Sequence, residues 1–107
     1  MALINSKRNP ESGDLVRFTR RGQRRGVVEA PIWTEAHQYG HGRWAGMGDL
    51  GHIRENDVFM ILGVYPMRDD IWYQILFEGR TWWLGWWNQE IYEASPCVAE
   101  LEVISRT

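Results

Sequence analysis

Two runs of aromatic and β-branched residues, Ile71-Trp72-Tyr73-Gln74-Ile75-Leu76-Phe77 and Thr81-Trp82-Trp83-Leu84-Gly85-Trp86, flank the short connection Glu78-Gly79-Arg80. Side chains of this kind fit a pleated, half-buried surface, and so short a connection containing glycine reverses an extended chain directly. The segment is expected to form a tight β-hairpin. Any fold for this chain has to be built outward from it, so strands rather than helices set the architecture.

The remaining sequence extends that pattern. Leu15, Val16 and Phe18 alternate with Arg17 and Thr19 between Gly13 and Gly22, which predicts a strand. Gly22 and Gly26 frame a turn carrying Gln23, Arg24 and Arg25, and 27–33 reads as a second extended run. Glu55-Asn56-Asp57 predicts a turn ahead of Val58 to Tyr65, an apolar run continuous enough to expect a central, buried strand. Pro66 to Asp70 closes it. Residues 34–51 contain five glycines and no sustained alternation, which predicts a long loop. A loop of that length within a small domain is a candidate binding element. Asn88 to Glu93 fits a single 3₁₀ turn into a last strand. Beyond it, Ser95-Pro96 can cap a short helix, while Leu101 to Ile104 fits an added edge strand equally well. The expectation is an all-β chain: an N-terminal arm over 1–12, a five-stranded small barrel with a long early loop over 13–94, and a tail or short extra element over 95–107.

At 107 residues the chain has room for one such domain. Its single cysteine, Cys97, rules out an intramolecular disulfide and a CxxC metal or redox pair, which points to a reducing compartment. The apolar run at the start is too short for a signal-peptide core. No stretch approaches the roughly 20 apolar residues of a membrane helix, so a cytoplasmic, non-membrane protein is expected.

With these elements placed, the chain resembles the SH3-like barrels. Leu50, Ile53 and Glu55-Asn56-Asp57-Val58 look like the diverging turn and the strand after it. Pro66 to Asp70 falls where the n-Src loop lies, and Trp72-Tyr73 where paired aromatics begin the next strand. Glu78-Gly79-Arg80-Thr81 matches the distal hairpin and Asn88 to Ile91 the 3₁₀ turn, while Gly13 to Phe18 resembles the first strand of bacterial and phage SH3-like domains. The Ala-Leu-Tyr-Asp-Tyr motif of the eukaryotic domains is absent, and Gly85-Trp86-Trp87 stands where they place proline. The resemblance implies a small barrel that works by binding. The short tryptophan-rich chain with a basic start also resembles small proteins of tailed bacteriophages, which implies a structural or accessory virion component, found in the host cytoplasm or in the virion.

Seven tryptophans are the main candidates for contact. Neighbours on a strand point to opposite faces, so one of Trp82 and Trp83, and one of Trp86 and Trp87, has to leave the core. An indole outside the core is stabilised by meeting a partner surface. The expected contact aromatics are Trp33, Trp44, Tyr65, Trp72, Trp82 and Trp86. The plain alternative is that tails and loop cover them.

Charge is unevenly spread. Residues 1–25 hold seven Lys/Arg against two Asp/Glu, and residues 26–107 hold five against twelve. Arg17, Arg20, Arg21, Arg24 and Arg25 crowd the start and form a candidate charged rim. Such a split steers an acidic partner, or lets two copies attract head to tail, although simple solvation also accounts for surface charge. Dense guanidinium groups suit phosphate too, but the net charge of −2 differs from the basic balance usual in nucleic-acid binders.

Catalytic and metal chemistry find little footing. His37, His41 and His52 lie in or beside the glycine-rich stretch, without the firm backbone a metal site needs. None of Ser6, Ser12, Ser95 and Ser105 sits in a nucleophile elbow, and no phosphate-cradling loop occurs. Asp69-Asp70 is explained by turn chemistry. The expectation is a non-enzymatic protein–protein interaction module without cofactor or metal, acting on a protein partner or by self-association. A nucleic-acid-binding barrel using the Arg17–Arg25 hairpin and a glycan- or cell-wall-binding barrel using exposed tryptophan are the alternatives.

Overall fold

The computed structural model of the chain describes residues 8–20, 26–39, 43–67, 70–90 and 99–106. Seven strands, β1 (Leu15–Arg20), β2 (Glu29–Tyr39), β3 (Arg43–Arg54), β4 (Val58–Pro66), β5 (Asp70–Phe77), β6 (Arg80–Trp87) and β7 (Ala99–Ser105), form one open antiparallel sheet. Their order is β3-β2-β6-β5-β4-β1-β7. No helix occurs among the described residues, and none is long and apolar enough to cross a membrane.

The β5–β6 hairpin has the expected form. Phe77 pairs with Arg80, leaving Glu78 (φ 52°) and Gly79 (φ 74°) as a two-residue turn with both residues left-handed. That turn matches the right-handed twist of the strands it joins. The Arg54–Asp57 turn closes on itself through Asp57 N donating to Arg54 O (2.9 Å) and Arg54 N to Asp57 Oδ2 (2.6 Å). It also grips β1, because Asn56 N donates to Phe18 O and Phe18 N to Asp57 O.

Three expectations are corrected. The strands flanking the Arg17–Arg25 stretch are not a hairpin: β1 is taken up by β4 and β7, and β2 by β3 and β6, so the two are not neighbours in the sheet. Residues 34–51 are not a loop: they lie in the long β2–β3 hairpin, paired from Glu29↔Arg54 to Tyr39↔Arg43, and raise the strand count from five to seven. The glycines that hid the alternation make room for large rings. The Trp33 indole lies against Gly46, and the Trp82 ring stands 2.9 Å from where a Cβ on Gly51 would project. The run Val58–Tyr65 is interior to the sheet but buried on one face only, with Phe59 and Ile61 inward and Val58, Leu62 and Tyr65 exposed.

One face of the sheet supplies the core: Val16 and Phe18 from β1, Ile32 from β2, Ile53 from β3, Phe59 and Ile61 from β4, Ile71, Tyr73 and Ile75 from β5, Leu84 from β6 and Leu101 from β7. No second layer covers this face among the described residues, so the sheet curls around it. Phe18 therefore meets Trp86 edge-on at 5.6 Å, although β4 and β5 lie between their strands in the sheet. The Tyr73 hydroxyl ends in this core with no hydrogen-bond partner among the described residues.

Residues 8–12 pack onto the fold. Pro10 is fully buried, Arg8 pairs with the buried Asp14 at 3.0 Å, and Asn9 bonds Asn88 and the Gln89 amide. Residues 88–90 turn away from β6. The Ser95-Pro96 cap and Cys97 lie outside the described residues, and β7 beyond them pairs with β1 from Arg20↔Ala99 to Leu15↔Ser105.

A candidate aromatic binding face

Register decides which indoles leave the core. Across β5 and β6, Tyr73↔Leu84 and Ile75↔Trp82 share the buried face. The intervening pairs Gln74↔Trp83, Trp72↔Gly85 and Asp70↔Trp87 share the opposite one, since side chains alternate along each strand. Tyr65 pairs with Trp72 and Trp33 with Trp83, so β4 and β2 extend the same outer row.

The far half of the β2–β3 hairpin folds back over this row. A register shift after Trp33, where Asp49 N donates to the Thr34 hydroxyl at 2.8 Å, bends the ribbon. Trp44 on β3 thereby reaches Tyr65 on β4 and Trp83 on β6, with ring centroids 5.8 Å from each, while Tyr65 and Trp83 lie 5.4 Å apart. The three rings are tilted against one another, within the separations aromatic pairs favour. Beside them opens a cavity of about 460 Å³ walled by Trp33, Trp44, Trp72, Trp86 and Trp87, with Pro31 and Gly85. Among the described residues of that lining, Asp70 is the one that carries a charge. Gly85 gives the Trp72 ring room to lie across β6, 2.9 Å from the place a Cβ would take.

Of the aromatics expected from sequence, Trp33, Trp44, Tyr65 and Trp72 meet on this face. Trp86 reaches the cavity from the core side, held by its indole N–H donating to Gln89 Oε1 at 3.0 Å. Trp82 lies on the other side of the sheet, packed on the core beneath the Arg80 guanidinium, 4.9 Å from its ring centroid. Trp83 and Trp87 belong to the face and were not in the expected set. The signal for them was available: a two-residue turn at Glu78-Gly79 puts Trp83 opposite polar Gln74 and Trp82 opposite apolar Ile75.

The charged rim divides. Arg17 bonds Glu102 at 2.8 Å, and Arg20 bonds both carboxylate oxygens of Glu55 and the Gly26 carbonyl. Arg21, Arg24 and Arg25 lie outside the described residues. His37 pairs with Glu35 at 3.5 Å, and His52 stands on β3. Among the described residues no three His, Cys, Asp or Glu side chains gather as metal ligands would.

No protein-family model, curated protein or solved structure matches this chain.

Proposed function

We propose that the chain is a non-enzymatic, SH3-like binding module that docks a protein segment on its outer aromatic face. The observation that carries this reading is the Trp44–Tyr65–Trp83 cluster beside an open, five-tryptophan cavity. Large, rigid, partly exposed aromatics anchor interfaces at low entropic cost, and a concave cavity next to them seats a side chain. The SH3-like part is supported by three turns that fall where the resemblance expects them: Arg54–Asp57, Glu78-Gly79 and Gln89-Glu90. A nucleic-acid partner is disfavoured, because Arg17 and Arg20 are engaged by Glu102 and Glu55, and Asp70 would repel phosphate at the cavity.

The test is selection of short peptides from a displayed library against the folded protein, followed by titration through tryptophan emission. Trp44→Ala and Trp83→Ala should weaken the selected peptide roughly tenfold or more, as anchor residues do, with far-ultraviolet dichroism unchanged. Ile104→Ser, on β7, should leave binding alone. Enrichment of no peptide, together with emission changes on adding oligosaccharides, would replace this reading by the glycan-binding one.

A further inference from the structure

The two edges of the sheet, β7 and β3, are finished differently. On β7 the Gln89 carboxamide stands in for a missing neighbour: its oxygen accepts the Leu101 amide at 2.7 Å, and its nitrogen donates to the Leu101 carbonyl at 3.1 Å. On β3 the backbone direction follows from one bond. Glu55 N donates to Val28 O at 3.2 Å, which continues the β2–β3 register past Glu29↔Arg54. Residues bonded across an antiparallel ladder alternate with residues whose amide and carbonyl point away. Ile53 and Gly51 therefore bond to β2, while Leu50, His52 and Arg54 turn theirs to the free edge. The Arg54 amide confirms the alternation, because it donates to Asp57 Oδ2 at 2.6 Å instead of to β2. Leu50 and His52 have no such substitute: both are exposed, and no described group meets their backbone on that side.

We propose that the docked protein segment binds as an eighth strand, paired with the β3 edge at Leu50 and His52. The inference rests on the aromatic face being a protein-docking surface. Two observations select an extended main chain as the occupant. Donors and acceptors alternating at strand spacing are complemented by another strand, and by neither a sugar nor a phosphate backbone. The edge is also continuous with the aromatic face, since Leu50 pairs with Trp33 and His52 with Pro31, and both partners wall the cavity. A strand laid along β3 thus sets alternate side chains beside Leu50 and His52, on the side where the indoles lie. The open stretch is short. It is bounded by the Asp57 cap at Arg54 and by the register shift at Gly48 (φ 83°), where the ribbon bends. A polyproline segment, which has no N–H to donate, does not fit this edge.

The experiment takes the strongest library-selected peptide and replaces its amides by N-methyl amides, one position at a time. Affinity should fall about tenfold or more at alternate positions of a short stretch and change little between them, because only alternate amides face the edge. Amide hydrogen exchange of the full chain gives the second readout. The peptide should slow exchange at Leu50 and His52 and leave Gly51 and Ile53, already bonded to β2, as they were. A peptide that needs Trp44 and Trp83 yet accepts N-methylation everywhere, or leaves Leu50 and His52 unprotected, overturns the added strand while the docking reading stands. Protection of the same two amides that grows with protein concentration in the absence of peptide assigns the edge to a second copy and also overturns it. If no peptide binds at all, the docking reading of the face fails, and this inference with it.

Discussion

The indole nitrogen of the half-buried Trp86 donates at 3.0 Å to the side-chain oxygen of Gln89, which is itself fully buried. The same oxygen accepts the Leu101 amide at 2.7 Å, and the Gln89 Nε2 donates to the carbonyls of Leu101 and Arg8. One carboxamide thus ties the end of β6 to β7 and to the incoming chain. Gln89→Leu leaves an indole N–H, an amide and two carbonyls without their partner, and should cost about 2–4 kcal/mol. Equilibrium denaturation in urea measures it. A loss below about 0.5 kcal/mol, the range of ordinary surface changes, would mean that water replaces the carboxamide.

The Tyr73 phenol should limit stability in alkali. Burial, with the charge of Glu90 adding to it, pushes its pKa well above the ordinary value. The folded state therefore keeps the proton at pH values where the unfolded chain gives it up. Stability should fall as pH rises above about 10, the ordinary phenol value. Tyr73→Phe should flatten that decline. Because the hydroxyl has no partner among the described residues, the variant should cost little at pH 7. Urea midpoints of both proteins at neutral and alkaline pH provide the check.

Glu78 occupies a left-handed position at φ 52°, a conformation that asparagine and glycine tolerate better. Glu78→Asn should stabilise the hairpin by about 0.5–1 kcal/mol and raise the melting temperature. Gly79→Ala, at φ 74°, should destabilise the protein by about 1–2 kcal/mol and lower the melting temperature. Thermal melts of the two variants should move in opposite directions.

Gly85→Ala tests whether the cavity depends on the packing of Trp72. The new methyl would stand 2.9 Å from that ring, so the indole has to move. The expected result is a changed near-ultraviolet dichroism spectrum with unchanged strand content, together with weaker binding of selected peptides. An unaltered aromatic spectrum would show that the ring already has room.

Much of this architecture is legible in the sequence, for identifiable reasons. β1, β5 and β6 announce themselves because β-branched and aromatic residues there are bounded by turn chemistry, and Glu78-Gly79 fixes the register between the last two. The β2–β3 hairpin is hidden because Gly46 and Gly51 break the alternation. Their lack of a side chain becomes intelligible only once the Trp33 and Trp82 rings are seen lying over them. At the aromatic face, Trp33, Trp44, Tyr65 and Trp72 are recognisable as large residues with nowhere local to go. Choosing Trp83 over Trp82 needs cross-strand parity, and bringing Trp44 onto Tyr65 needs the bend of the hairpin, which no local pattern encodes.

The position of β1 between β4 and β7 bears on how quickly the chain can find its fold. Val16 is flanked by Phe59 on one side and Val103 on the other, so this strand's partners come from the middle and the far end of the polypeptide. The β2–β3, β4–β5 and β5–β6 ribbons close over short separations and can form early, whereas β1 is completed only after most of the chain has been searched. Refolding should therefore be rate-limited by the joining of the two terminal strands, with the aromatic face already assembled and exposed while the opposite side of the sheet still lacks its edge.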